Sequence, residues 1–331
     1  MTQNKKPFSK DILHFEDIDS ICDQLINSLK VNVYKKLARR GGVVGISGGI
    51  DSSVTLALTA KAFGPERVLG IMLPEKDSSP DSLELATELA NTFGVKTVKE
   101  EITSALDGFG CYQRRDEAVK NVFKEYDPTV HKFKIGIKQD SLHTSMPPMF
   151  SVTIVEPDGE EKSKLLPLNE YLQIVASSNF KQRSRMTMLY YHAERLHYAV
   201  IGTPNKHEVA QGFFVKYGDG GADVMPIAPL YKTQVYQLAR HLGVPEGIIN
   251  RTPTTDTYTA EQTQEEFFFQ LPFELMDLVW YGWENDYGAE EVAEVLDFSK
   301  EEIENVYHNF ERKKKTTDYL RRPPIIEEFN I

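Results

Sequence analysis

Short apolar runs alternate with longer amphipathic stretches along the first third of the chain. Residues 16–39 place Ile18, Ile21, Cys22, Leu25, Ile26, Leu29, Val33 and Leu37 on one face, which predicts a helix. An apolar run from Val43 to Ile46 follows. It ends in Ser47-Gly48-Gly49 and leads through Ile50-Asp51-Ser52-Ser53 into a helical pattern over 54–60. Further strands are predicted over 67–74, closed by Pro74, and over 96–100, with a helix over about 80–93 between them. Strands and helices joined by short connections predict an α/β fold: a doubly wound, mostly parallel sheet with helices on both faces. Such sheets bind ligands at the carboxyl ends of their strands, where the loops after Ile46 and Leu73 lie.

Residues 111–178 break this rhythm. A charged helical stretch over 114–126 runs into a loop containing Met146-Pro147-Pro148-Met149. Two strand patterns over 150–155 and 162–166 flank Asp158-Gly159, the signature of a β-hairpin turn. The segment is expected to be an insertion on the sheet. Beyond it, Asn179 opens a helix to about Leu196, and a strand over 198–201 runs into Gly202-Thr203-Pro204-Asn205. A helix to about His241 precedes a loop over 251–256, and helices are expected near 265–282, 290–296 and 300–315. The expected units are an N-terminal helical region (1–40), an α/β domain (41–260) carrying the 111–178 insertion, and a helical C-terminal extension (261–331).

The chemistry concentrates where the first strand meets its helix. Glycines at 48 and 49 permit positive φ and close approach of a ligand to the backbone. Unpaired N–H groups at the helix start, the positive end of its dipole and hydroxyls on Ser47, Ser52 and Ser53 suit a phosphate or pyrophosphate. A capped helix start with no ligand is the bland alternative. The spacing excludes two other phosphate loops, since neither Gly-x-x-x-x-Gly-Lys-Ser/Thr nor Gly-x-Gly-x-x-Gly is present. Ser-Gly-Gly-x-Asp-Ser after a strand instead resembles the pyrophosphate loop of the ATP pyrophosphatases. That resemblance implies phosphates on the loop after Ile46 and adenosine on the loop after Leu73.

Composition narrows the classes. A net charge of −11 argues against nucleic acid or an anionic membrane as partner. No apolar run reaches the roughly 18 residues that a membrane span needs, and the polar start is not expected to be a signal peptide. Two cysteines, Cys22 and Cys111, form no metal or disulfide pattern and fit a reducing, cytoplasmic setting.

With four blocks in view, the chain resembles the NAD synthetases of the ammonia-using type. These blocks are the pyrophosphate loop, Asn-x-Lys-x-Arg-x-Arg-Met from Asn179, and Gly-Thr-x-Asn-x-x-Glu from Gly202 followed by Gly-Phe-Phe-x-Lys-Tyr-Gly-Asp-Gly-Gly-x-Asp from Gly212. The fourth is Pro-Thr-x-Asp from Pro253. The resemblance spans about 16–110 and 179–260, and the block from Gly212 is its most specific part. It implies that ATP adenylates the nicotinate carboxylate of deamido-NAD and that ammonia then displaces AMP. It implies ATP contacts at Gly45, Ser47, Gly48, Gly49, Asp51, Ser52, Ser53, Thr203, Lys232 and Thr254. Asp51 and Glu208 are expected to share Mg2+, with helix-end carboxylates as the bland reading of both. Deamido-NAD contacts are implied at Arg183, Tyr190, Phe213, Lys216 and Asp223; Arg183 also reads as half of a surface pair with Arg185, and Phe213 and Phe214 also suit a core. Asp219 is expected at the ammonia pocket as a proton acceptor and Lys232 as a catalytic cation, although Asp219 alone also reads as a turn residue. The resemblance further implies a homodimer, with ammonia arriving free or from a separate glutaminase, since no glutaminase domain is read in the chain. Departures are the segment 257–269 and the size of 111–178. Another amidating ATP pyrophosphatase and a non-catalytic adenine-nucleotide-binding protein remain the alternative readings.

Overall fold

In the computed structural model, the described residues are 5–137, 149–254, 257–264 and 271–327. The expected loop at Met146-Pro147-Pro148, Asp256 and the first residues of the expected 265–282 helix lie outside them. Helix α1 (Ile18–Lys30) is capped by Asp17, whose side chain accepts from the Ser20 amide. It ends in a π-helical turn over Val31–Lys36, shorter than the 16–39 helix expected, because Ala38 takes a φ of 51° and turns the chain into the first strand.

Strands β1 (Gly42–Gly45), β2 (Val68–Met72) and β3 (Lys96–Lys99) follow, separated by α2 (Ile50–Phe63) and α3 (Pro80–Thr92). Helices α4 (Thr103–Gly108) and α5 (Cys111–Val122) come next. Strands β4 (Lys132–Ile137), β5 (Phe150–Val155) and β6 (Glu161–Leu165) form a separate antiparallel sheet in that order. The hairpin expected between β5 and β6 is present, and Gly159 supplies its positive φ of 89°. Strand β4 stands where a loop was expected. Its sequence, Lys-Phe-Lys-Ile-Gly-Ile, alternates in period two, with Phe133 and Ile135 buried.

Helix α6 (Leu168–Leu196) begins well before the expected start at Asn179. Its first turns bury Ile174 under the small sheet and stack Tyr171 on Phe150, yet leave Leu168 and Leu172 exposed. Apolar side chains on two faces obscure the single stripe on which a helical reading depends. Strand β7 (Ala199–Ile201), α7 (Lys206–Gln211), α8 (Lys232–Leu242) and α9 (Glu246–Ile249) complete the α/β body. Helices α10 (Phe273–Glu284), α11 (Ala289–Leu296), α12 (Lys300–Thr316) and α13 (Asp318–Arg321) form the C-terminal group.

The main sheet runs β3-β2-β1-β7, all parallel, with Val43 beside Leu69 and Val200. Side-chain alternation divides its core in two. Val44, Met72, Ala199 and Ile201 point to the face covered by α2 and α8. Val43, Leu69, Ile71 and Val200 point to the other, against Leu106, Cys111 and Ala193 of α4, α5 and α6. Helix α2 buries nearly every residue, which explains why its sequence is apolar all round rather than striped. A third core joins Phe8 and Leu13 from the chain start to Trp280, Val306 and Phe310 of the C-terminal helices. No helix among the described residues is long and apolar enough to cross a membrane.

Candidate active site

The carboxyl ends of β1 and β7 are neighbours, so the segments that leave them meet. Ser47-Gly48-Gly49 turns out of β1 into α2. Gly48 adopts a φ of 74°, and a Cβ there would lie 2.9 Å from the Ser82 carbonyl oxygen, so both φ and space select glycine. The N-cap of α2 is Gly49, which has no side chain to satisfy the first N–H groups. Ser52 and Ser53 donate their hydroxyls back to the Gly49 carbonyl at 2.9 and 2.8 Å, bracing the turn. The result is a rigid helix start with its amide donors uncapped by side chains, a ready anion site.

Those donors open into a cavity of about 520 Å3, a volume within the range of small-molecule sites. Gly45, Ser47, Gly49, Asp51 and Ser52 line one side, with Thr203, Glu208 and Lys232 beside them. Phe213, Asp219 and Thr254 also line it. Gly48 and Ser53 belong to the turn but are not part of the lining, and Ser53 is fully buried. The four remaining candidates for the dinucleotide lie outside the cavity lining, on α6 and the segment facing it. The Tyr190 hydroxyl donates to Asp223 Oδ1 at 3.1 Å, and Arg183 Nε donates to the Lys216 carbonyl at 3.3 Å. Lys216 Nζ donates to the Tyr319 and Arg322 carbonyls at 2.9 and 2.8 Å. Burial, reinforced by Asp223, pushes the Tyr190 phenol up to about 12.

Three ionisable side chains cluster in the cavity lining. Lys232, at the first position of α8 and fully buried, ion-pairs with Asp51 Oδ2. Asp51 Oδ1 accepts from Asn205 Nδ2 at 3.2 Å. Asn205 also caps α7: its side chain accepts from the Glu208 amide, while its own amide donates to Glu208 Oε2 at 2.9 Å. Loss of solvent raises the Glu208 carboxyl from 4.5 to about 8, the neighbouring Asp51 adds to the rise, and Lys232 works against it. Burial opposes the charge on Lys232, but Asp51 and Glu208 outweigh it and hold the ammonium above its ordinary range. Lys232 thus holds Asp51 as an ion pair, while the Glu208 carboxyl beside them keeps its proton near neutral pH until a further cation arrives.

Asp219 lines the same cavity, in the turn after Phe213-Phe214, and its charge adds to the rise of Glu208. Its Oδ1 accepts from the Val215 amide at 2.7 Å. A Cβ at Gly220 would run into the Phe214 ring, which fixes glycine in this turn. The carboxylate is open to cavity water yet ringed by protein, and partial loss of solvent raises it to about 6, against the pull of nearby amides and Arg185.

Reading by local motif missed a second polar layer. Lys181 is fully buried and pairs with Glu75 Oε1 (2.9 Å) and Asp77 Oδ2 (2.8 Å), and it donates to the Thr257 carbonyl at 3.0 Å. Arg115 also holds Asp77. Burial works against the Asp77 charge, but Lys181 and Arg115 prevail and keep the carboxyl below its ordinary range. This network fixes the loop after β2, whose Ser78 and Ser79 line the cavity together with Ser82 of α3. Lys181 stands in the Asn-x-Lys motif, but its partners are about a hundred residues away, beyond any local spacing rule.

Among the described residues no group of three or more His, Cys, Asp or Glu side chains forms a metal cage. Mg2+ in nucleotide sites is commonly held by one or two carboxylates plus substrate phosphate oxygens and water. Asp51 and Glu208, two carboxyl side chains lining the same cavity, fit that donor set.

The family model for NAD synthase matches residues 21–142 and 154–324, running through most of 111–178 and across the C-terminal helices. The chain is 45% identical over 325 residues to the NH(3)-dependent NAD(+) synthetase of Rhizobium meliloti (strain 1021), covering 97% of this chain and 95% of that one. It is 46% identical over 304 residues to the enzyme of the same name from Mesorhizobium japonicum, covering 92% and 95%. The NH3-dependent NAD synthetase of Campylobacter jejuni shares the fold, with a TM-score of 0.61 at 21% identity over 95% of this chain and 100% of that chain. The NMN synthetase of Francisella tularensis does so with a TM-score of 0.62 at 22% identity and the same coverage. With a helix-start anion site facing a nucleotide-sized cavity and full-length likeness to these relatives, the chain belongs to the NAD synthase family, as an ammonia-dependent ligase that amidates deamido-NAD to NAD with ATP.

Proposed function

We propose that the Asp51–Lys232–Glu208 cluster, at the uncapped start of α2, receives the phosphates of ATP and that Asp219 receives ammonia in the same cavity. The observation carrying this reading is the convergence of one cation, two carboxylates and the free amide donors of a helix start in one cavity. A carboxylate is a poor electrophile. An oxygen of the nicotinate carboxylate attacks the α-phosphorus of ATP, and the bond from that phosphorus to the bridging oxygen breaks to release pyrophosphate. Ammonia nitrogen then attacks the carbonyl carbon of the acyl adenylate, and AMP leaves with the bond electrons.

In this scheme Lys232 neutralises phosphate charge, the Ser47–Ser52 turn orients it, and Thr203 and Thr254 contact the nucleotide. Asp51 and Glu208 would hold Mg2+, which when bound offsets the charge of the triphosphate. Asp219 attracts NH4+ and takes a proton from it; a carboxyl near 6 is a stronger acceptor than an ordinary one and is still ionised at neutral pH. Arg183, Tyr190, Lys216 and Asp223 bind the dinucleotide, with Phe213 against an aromatic ring. The reading puts the dinucleotide near the interface of a homodimer. The reading includes a cytoplasmic setting and ammonia taken free or from a separate glutaminase.

The test is direct. Purified protein with ATP, Mg2+, ammonium and deamido-NAD yields NAD, AMP and pyrophosphate in equal amounts, and glutamine does not replace ammonium. Formation of ADP, or no product with deamido-NAD, would overturn the reading.

A further inference from the structure

The C-terminal helices reach the α7 and α8 side of the cavity through one buried carboxylate. Asp277, on α10, is fully buried. Its Oδ2 accepts from the Thr233 amide at 2.7 Å, and its Oδ1 lies 3.4 Å from the Lys232 amide. These amides open α8. Tyr231 precedes that helix, where Ser, Thr, Asp or Asn would commonly supply the acceptor. Asp277 supplies it from another element, and a negative charge there complements the helix dipole.

The same Oδ1 lies 2.6 Å from His207 Nε2, and His207 is fully buried on α7, next to Glu208. Its other nitrogen, Nδ1, lies 3.2 Å from Gln211 Nε2. Gln211 Oε1 accepts from Lys313 Nζ at 3.4 Å, which orients the amide with its NH2 toward the histidine. The imidazole therefore accepts at Nδ1 and donates from Nε2 to Asp277. One carboxylate thus holds both short helices of the site, at the residues adjoining Glu208 and Lys232.

We propose that Asp277, oriented through His207, is a positioning residue that fixes the Lys232 ammonium and the Glu208 carboxylate against each other for nucleotide binding. This rests on the reading of Lys232 and Glu208 as the phosphate and metal side of the site. The alternative is a carboxylate that only stabilises the packing of α10. The two separate in how a loss is distributed among substrates. A loosened Lys232 weakens ATP, whereas general destabilisation lowers the active fraction and leaves every KM unchanged.

The experiment uses the full chain. Asp277→Asn keeps the size but leaves one acceptor oxygen for the three donors that face the carboxylate. It is expected to raise the KM for ATP about tenfold, the scale of one lost buried hydrogen bond, with the KM values for ammonium and deamido-NAD held within about twofold. Amide hydrogen exchange at Thr233 is expected to quicken. His207→Phe should reproduce the ATP defect, and His207→Gln, which retains an N–H toward Asp277, should recover most of it. If Asp277→Asn does not fold, the His207 pair decides on the same readouts. An unchanged KM for ATP, or equal changes in all three KM values, overturns the proposal. Asp51→Asn measured alongside separates the causes: normal ATP binding and turnover in that variant places the failure in the phosphate-site reading.

Discussion

Lys232 shows how far one side chain's role depends on neighbours distant in sequence. A lysine at a helix start opposes the dipole, and the fold offsets this by burying it against Asp51 and near Glu208. Lys232→Met is expected to abolish turnover and to destabilise the unliganded protein by about 3–5 kcal/mol, because Asp51 loses its buried counter-charge. Thermal melts and NAD formation check both. Glu208 gives the opposite sign. Its folded carboxyl lies near 8 rather than 4.5, so the folded chain keeps a proton that the unfolded chain has released. The stability of that protonated form is full below 4.5 and is lost as pH rises through about 8. Glu208→Gln should therefore inactivate the protein while raising its unliganded Tm relative to the parent, and the gap should widen from about pH 5 to about pH 9. Asp219 predicts an acid limb. The kcat/KM for ammonium should fall as pH drops through about 6, and in Asp219→Asn a residual rate should lack that limb.

At the scale of elements, the turn from β1 into α2 was legible because its information is local. Glycine φ, the apolar run before it and the helix pattern after it lie within about a dozen residues. Gly48→Ala should cost about 1–2 kcal/mol from the left-handed φ alone, with a further loss of ATP binding from the clash with the Ser82 carbonyl, measurable by denaturation and nucleotide titration. Strand β4 carries its signal in alternation, with Phe133 and Ile135 buried between Lys132 and Lys134, but the run is only six residues long and holds a glycine, so it is a weak strand pattern. Helix α6 was legible only from Asn179, since its earlier turns pack Tyr171 and Ile174 beneath the small sheet while Leu168 and Leu172 face outward.

Across the whole molecule, the chain start and the C-terminal helices share one core, through Phe8, Leu13, Trp280 and Phe310. The Tyr287 hydroxyl donates to the Lys6 carbonyl at 2.7 Å, tying the two together again. Arg321 then reaches back to the site, donating to the Val209 and Ala210 carbonyls at 3.1 and 3.2 Å, at the end of α7. Arg321→Ala should loosen α7 and the turn that carries Asp219. The expected outcome is faster amide exchange over 209–219 and a higher KM for ammonium, with a modest fall in Tm because the half-buried side chain gives up its bonds to backbone carbonyls.

The residue types of the site, the strand-to-helix context of the phosphate turn and the family were already determined by the sequence, since each rests on short-range spacing. Tertiary structure alone decided that Lys232 is buried against Asp51, that Asn205 joins Asp51 to Glu208, that Lys181 fastens the loop after β2, and that Asp277 spans α7 and α8. The physical reason is range. Backbone conformation is written in neighbours a few residues apart, whereas desolvation and charge pairing depend on which distant segments the closed core brings together.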